Sequence, residues 1–149
     1  MAMNIDALDE KLIKVLKDNA RQSAEKVAKR LKVSPTTVRR RMKKLTRNGV
    51  LVITAMVDPS KIGITVRTFI AVDVELGDIE SAAEFLTKQP EVKFISTTTG
   101  RFDLVVGAGF HSTFELAEFM QKKMAGIKGV KDVEVFISLD MKKGNYVPY

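Results

Sequence analysis

The densest chemistry in the sequence lies between Ser34 and Arg47. Six of the nine residues from Arg39 to Arg47 are basic, and Thr36 and Thr37 stand just before them. Guanidinium forks read guanine edges bidentately, threonine meets base edges or thymine methyls, and lysine and flanking arginine neutralise phosphates. Wound at about 100° per residue, this stretch puts Val38, Met42 and Leu45 on one stripe. Thr36, Thr37, Arg40, Lys43, Lys44 and Arg47 take the opposite face, with Arg39 and Arg41 on the flanks. Such a helix suits the major groove of double-stranded DNA. The alternative is a solvated basic surface. Charge density, the lack of any Asp or Glu between Thr36 and Gly49, and placement after a tight corner favour DNA.

A second group is Thr97-Thr98-Thr99-Gly100-Arg101-Phe102-Asp103. A free amino acid needs backbone N–H groups for its carboxylate and a carboxylate for its ammonium. Gly100 permits close backbone approach and Asp103 supplies the anion. The same residues also fit a plain hairpin corner, with Asp103 pairing with Arg101 or capping the turn. From the residues alone both readings stand.

Three short helices must position the basic group. Asp6 caps the first, which carries Leu8, Leu12, Ile13, Val15 and Leu16 on one arc and stops near Asn19. Ser23 caps the second, running to Leu31 with Val27, Ala28 and Leu31 inward. Lys32-Val33-Ser34-Pro35 is a tight corner in which Ser34 caps the third helix and Pro35 occupies its first turn. Asn48-Gly49 ends it. Beyond it, Leu51–Val57 reads as a strand and Asp58–Gly63 as a turn-rich connector. A β-α-β-β-α-β order follows: strand 65–76, a helix from the Asp78 cap to Gln89, strands 92–99 and 102–109, a helix 113–127 capped by Ser112, and a strand 131–140. The second of these helices is expected to bury Phe114, Ala117, Met120 and Met124. This is the ferredoxin-like plan, one sheet face covered by both helices. The other face is apolar as well, through Phe69, Phe94 and Phe136, and self-association is its simplest cover.

Charge and composition divide at the same place. Residues 1–50 hold 14 Lys/Arg against 5 Asp/Glu, a net +9; residues 51–149 hold 11 against 13, a net −2. All eight Phe and both Tyr lie at or beyond Phe69. The expected division is a helix-turn-helix domain over 1–50, a linking strand and connector over 51–63, and an effector and oligomerisation domain over 64–149. With no Cys and His111 as the single His, disulfides, thiol chemistry and imidazole-rich metal sites are excluded. His111 reads as a surface residue at a helix cap. No apolar run reaches the roughly 20 residues of a membrane span. Early charges at Asp6, Asp9 and Glu10 argue against a secretory signal, so a cytoplasmic protein without membrane contact is expected.

The runs Leu8-Asp9, Leu12–Leu16, Val27–Leu31, Ser34–Leu45 and Asn48–Leu51, together with Thr97–Leu104, resemble the Lrp/AsnC (feast/famine) transcription regulators across essentially the whole chain. Lys32 departs from a glycine frequent in the family's turn, and a left-handed backbone there costs a lysine on the order of 1 kcal/mol. The resemblance implies an α+β chain: a winged-helix-like helix-turn-helix domain followed by a βαββαβ effector (RAM) domain. It implies contact with DNA through Ser34, Thr36, Thr37, Arg39, Arg40, Arg41, Lys43, Lys44 and Arg47. It also implies homodimers joined through the sheets, assembling further into forms such as octamers. An amino-acid effector would then bind near the turn, through Thr98, Thr99, Gly100, Arg101, Asp103 and Ser138, with Phe136 as an apolar wall. No metal or cofactor is expected, and no catalytic residue: nothing forms a nucleophile–base pair or a phosphate-cradling loop. A low-specificity architectural DNA binder shares every one of these features. Tetrapyrrole (siroheme) decarboxylation on the same scaffold needs His or Arg around a large pocket, and the second domain is poor in both.

Overall fold

A computed structural model describes residues 4–142; residues 1–3 and 143–149, the outer ends of the two expected domains, lie outside that range. Two compact units divide between Thr54 and Ala55. The first therefore takes in the start of the predicted connector, and Val50 and Leu51 pack against its core.

The first unit is α1 (Ala7–Asp18), α2 (Ala24–Leu31) and α3 (Pro35–Arg47). Each start is capped by the expected side chain. Asp6 accepts from Leu8 and Asp9 amides, Ser23 from Lys26, and Ser34 from Thr37. Leu12, Val15, Leu16, Val27, Ala28, Val38 and Leu45 form the core, so the predicted inward stripe of α3 does face α1 and α2. Lys32 adopts φ 55° and ψ 45°, the left-handed conformation foreseen for it. Its amide and that of Val33 both donate to the Ala28 carbonyl, ending α2 within one residue of the corner. The regular elements of the unit's described residues are these three helices, with no hairpin wing.

Leu51–Val57 is not a strand, contrary to expectation: the one sheet among the described residues consists of four later strands. Its alternating β-branched and apolar residues have the right propensity, but a strand exists only beside another strand that takes its ladder hydrogen bonds.

The second unit opens on a 3-10 turn (Pro59–Ile62). Then come β1 (Val66–Val74), α4 (Ile79–Thr87), β2 (Val92–Thr97), β3 (Leu104–Phe110), α5 (Thr113–Lys122) and β4 (Val130–Ile137). The sheet order is β2-β3-β1-β4, antiparallel at every pair, which is the ferredoxin-like topology. Ile70, Val72, Leu104, Val106 and Phe110 face the helices and meet Leu86 of α4 and Phe119 of α5. Phe119 sits edge-on to Phe110 with ring centroids 5.3 Å apart.

Two details of the helices differ from the sequence reading. In α5 the buried residues are Leu116 and Phe119, while Phe114 is 70% exposed and Ala117 is also outside. The expected stripe and the true one share Met120 and Met124, so spacing alone does not separate them; docking of Phe119 on Phe110 sets the rotation. Asp78 precedes α4 but makes no side-chain cap; its carboxylate is paired with Lys128, 3.0 Å away.

Candidate functional site

On α3 the nine expected DNA contacts separate into three sets. Arg40, Lys43, Lys44, Arg47 and Thr36 are exposed, and no ion pair holds any of these four basic residues among the described residues. Arg40, Lys43, Lys44 and Arg47 line one surface depression with Asn48. Ser34 and Thr37 are tied to each other by a 2.8 Å hydroxyl contact at the helix start, and Ser34 caps. The flanking arginines are engaged elsewhere. Arg39 pairs with Glu25 of α2, and Arg41 pairs with Asp6 and Asp9 of α1.

The acids on α1 and α2 are the part that inspection of α3 alone misses. Asp9 is wholly buried, and both its oxygens lie 3.1 Å from Arg41 Nη1. A signal for it exists in the sequence. Asp9 stands three and seven residues before Leu12 and Leu16, on the buried arc, and an ionisable group there requires a partner. Asp6 is held below the ordinary carboxylate range by the Asp9 amide and then by the Arg41 guanidinium. Glu25 is lowered as well, first by its own amide and the Ser23 hydroxyl, and further by Arg39.

The turn around Gly100 is a built corner. Thr98 donates its amide to the Asp103 carbonyl at 2.8 Å and its hydroxyl to the Phe102 carbonyl at 2.7 Å. Asp103 Oδ2 accepts the Val74 amide at 2.9 Å, so one carboxylate oxygen is committed to β1. Arg101 does not pair with Asp103. Its guanidinium lies 2.9 Å from Glu134 and 3.3 Å from Asp132 on β4, and 4.8 Å above the Phe102 ring. Gly100 has φ 111°, a backbone closed to most side chains, and a Cβ there would point into open space. Thr99 and Gly100 are exposed.

Ser138 does not join this turn within one chain. Its amide bonds to Arg67 while Asp103 bonds to Val72, so five residues of β1, roughly 17 Å of strand, separate the two. Phe136 lies between, on the open sheet face and directly opposite Phe69. There it belongs to a cross-strand row: Phe136 and Gly107 flank Phe69, and Phe94 pairs with Gly107. Phe94, Phe69 and Phe136 are 42%, 51% and 52% exposed. A Cβ on Gly107 would lie 3.3 Å from Phe94 Cβ, so the glycine is what lets that side chain lie across β3. His111 is exposed just before α5, with Nδ1 2.9 Å from the Gly63 carbonyl oxygen; it fastens the connector turn. No helix of the described residues is long and apolar enough to cross a membrane.

Known proteins share this arrangement over both units. The sequence matches the AsnC-type helix-turn-helix domain over residues 5–46 and the Lrp/AsnC ligand binding domain over residues 67–148. An HTH-type transcriptional regulator of Pyrococcus furiosus is 34% identical, over 95% of this chain and 97% of the relative. Escherichia coli AsnC superimposes with a TM-score of 0.88 at 26% identity, covering 97% of this chain and 99% of that one. A Neisseria meningitidis transcriptional regulator solved as a complex with L-Met gives a TM-score of 0.87 at 25% identity, over 97% and 96% of the two chains. With a capped basic helix after a tight corner, and a four-stranded sheet carrying a built turn, the chain belongs to the Lrp/AsnC family of transcriptional regulators.

Proposed function

We propose that this regulator binds specific DNA sites as a homodimer, with the α3 helices of two copies in successive major grooves of a pseudo-palindromic site. The observation that carries this is the exposed quartet Arg40, Lys43, Lys44 and Arg47, left unneutralised while the flanking arginines are paired. Arg40, with Thr36 beside it, reads base edges; the lysines and Arg47 neutralise phosphates. The open sheet face, with its row of three phenylalanines, supports pairing of two copies, and further association into octamers extends the same scheme. An amino acid held near Gly100 would shift assembly and so change DNA affinity. The exposed Thr99 and Gly100 and the remaining oxygen of Asp103 support that placement, as does the complex of the Neisseria relative with L-Met. Ser138 and Phe136 enter such a site only if a second copy supplies them. The action is binding in the cytoplasm, not turnover.

The test is selection of duplexes from fragmented genomic DNA by the purified protein, with and without each amino acid. A discrete set of sites is expected, bound with an affinity that falls steeply with salt. Arg40→Ala is expected to bind selected and random duplexes nearly alike. Wild-type protein that retains all fragments equally would instead be an architectural binder, and an Arg40→Ala protein with undiminished selectivity would place the reading face elsewhere.

A further inference from the structure

Resting on that reading of α3, we propose that Arg41 is not a DNA contact but the positioning residue of the reading helix, clamped by the first turn of α1. Counted from Arg40 at about 100° per residue, Thr36, Lys44 and Arg47 lie within about 40° of it, and Arg41 about 100° away. That flank faces α1. There a single nitrogen, Arg41 Nη1, bonds both oxygens of the wholly buried Asp9 and one oxygen of Asp6. The second Asp6 oxygen caps α1 through the Leu8 and Asp9 amides, so the clamp is anchored in the helix start.

Charge decides against a DNA role. Two carboxylates around one guanidinium sum to −1, so the clamp adds no attraction for phosphate to that of Arg40 and Lys44, which line one depression with Asp6 and Arg41. The side chain is 22% exposed, against 60% for Arg39. A phosphate reaching Nη1 must displace two anions, one of which has no solvent to move into. What the clamp does instead is fix the rotation of α3 about its own axis. The apolar stripe of Val38 and Leu45 permits small rolls, because hydrophobic contact is not directional; a three-oxygen contact to one nitrogen is. The clamp thus determines which of Arg40 and its neighbours meets which base edge.

The experiment uses the full-length protein, a duplex selected by the wild type and a random-sequence duplex of equal length. Affinity for each is measured over a range of salt for wild type, Lys44→Gln, Arg41→Gln, Asp9→Asn and Asp6→Asn. Lys44→Gln is expected to flatten the log–log salt dependence by about 0.9, the signature of one lost phosphate contact. Arg41→Gln is expected to leave the slope unchanged and to lower the ratio of selected to random affinity by about tenfold. Asp9→Asn, buried and out of reach of DNA, is expected to lower the same ratio. Simple loss of folded protein would weaken both duplexes equally and leave the ratio unmoved. Asp6→Asn keeps the cap, since asparagine caps as well as aspartate, and serves if the other two fail to fold. It is expected to lower the ratio by about threefold; a salt dependence steepened by about 0.9, from an arginine freed to meet phosphate, would overturn the proposal. So would a flattened slope in Arg41→Gln, or an unchanged ratio. Wild-type binding that ignores salt would instead remove the DNA reading itself.

Discussion

Asp6 does two jobs with two oxygens, capping α1 with one and holding Arg41 with the other, and this makes the first unit sensitive to acid. Its carboxyl is lowered from the ordinary 3.8 by the Asp9 amide and then by Arg41. A group lowered by folding contributes its full stability above its unfolded value and loses that contribution as the pH falls through the lower, folded one. The melting temperature of the wild type is therefore expected to drop below pH 3.8 by more than that of Asp6→Asn, with the two curves parallel above it. Thermal melts followed by circular dichroism across that range check this, and parallel curves at every pH would contradict it. The exposed cations were legible from helical spacing. Their partners were not, because Asp6, Asp9 and Glu25 lie 14 to 35 residues away from the arginines they hold, and only the packing of α1 and α2 on α3 brings them in. Likewise a pairing of Arg101 with Asp103, one of the readings the residues leave open, does not form; Arg101 pairs with Asp132 and Glu134, 31 and more residues on.

Among the elements, the caps and corners were the most legible features, since each is a local transaction between a side chain and amides two or three residues away. The corner between α2 and α3 is the clearest case. Lys32 holds a left-handed backbone for which glycine has no steric penalty. Lys32→Gly is expected to raise the stability of the first unit by about 1 kcal/mol, with DNA selectivity unchanged, and chemical denaturation monitored in the far ultraviolet reads it. Elements whose state depends on what they touch were less legible. Leu51–Val57 has strand-forming residues and no strand, and α5 has two apolar stripes of which only one docks. In both, local propensity is satisfied by more than one outcome and a distant partner decides.

For the molecule as a whole, the uneven charge marks the division of labour: the +9 lies with the helices, the near-neutral remainder with the sheet. The sheet presents Phe94, Phe69 and Phe136 in one row across its four strands. Phe136→Glu puts a carboxylate where a second copy is expected to sit. It is expected to shift the mass in solution toward the monomer and to weaken binding to two-half-site DNA far more than to a single half-site; an unchanged mass would place the pairing surface elsewhere. The same sheet has a consequence for how the chain comes into being. Its first strand is central, paired on one side with β3 and on the other with β4, the last strand of the unit. During synthesis from the N-terminus, the three helices of the first unit, joined by close-range contacts, close quickly. The sheet waits until Ile137 has left the ribosome, with β1 open along one edge. A nascent chain thus carries a finished basic helix before it carries a finished sheet, and for that interval it holds a nucleic-acid surface without the part through which an effector would act on it.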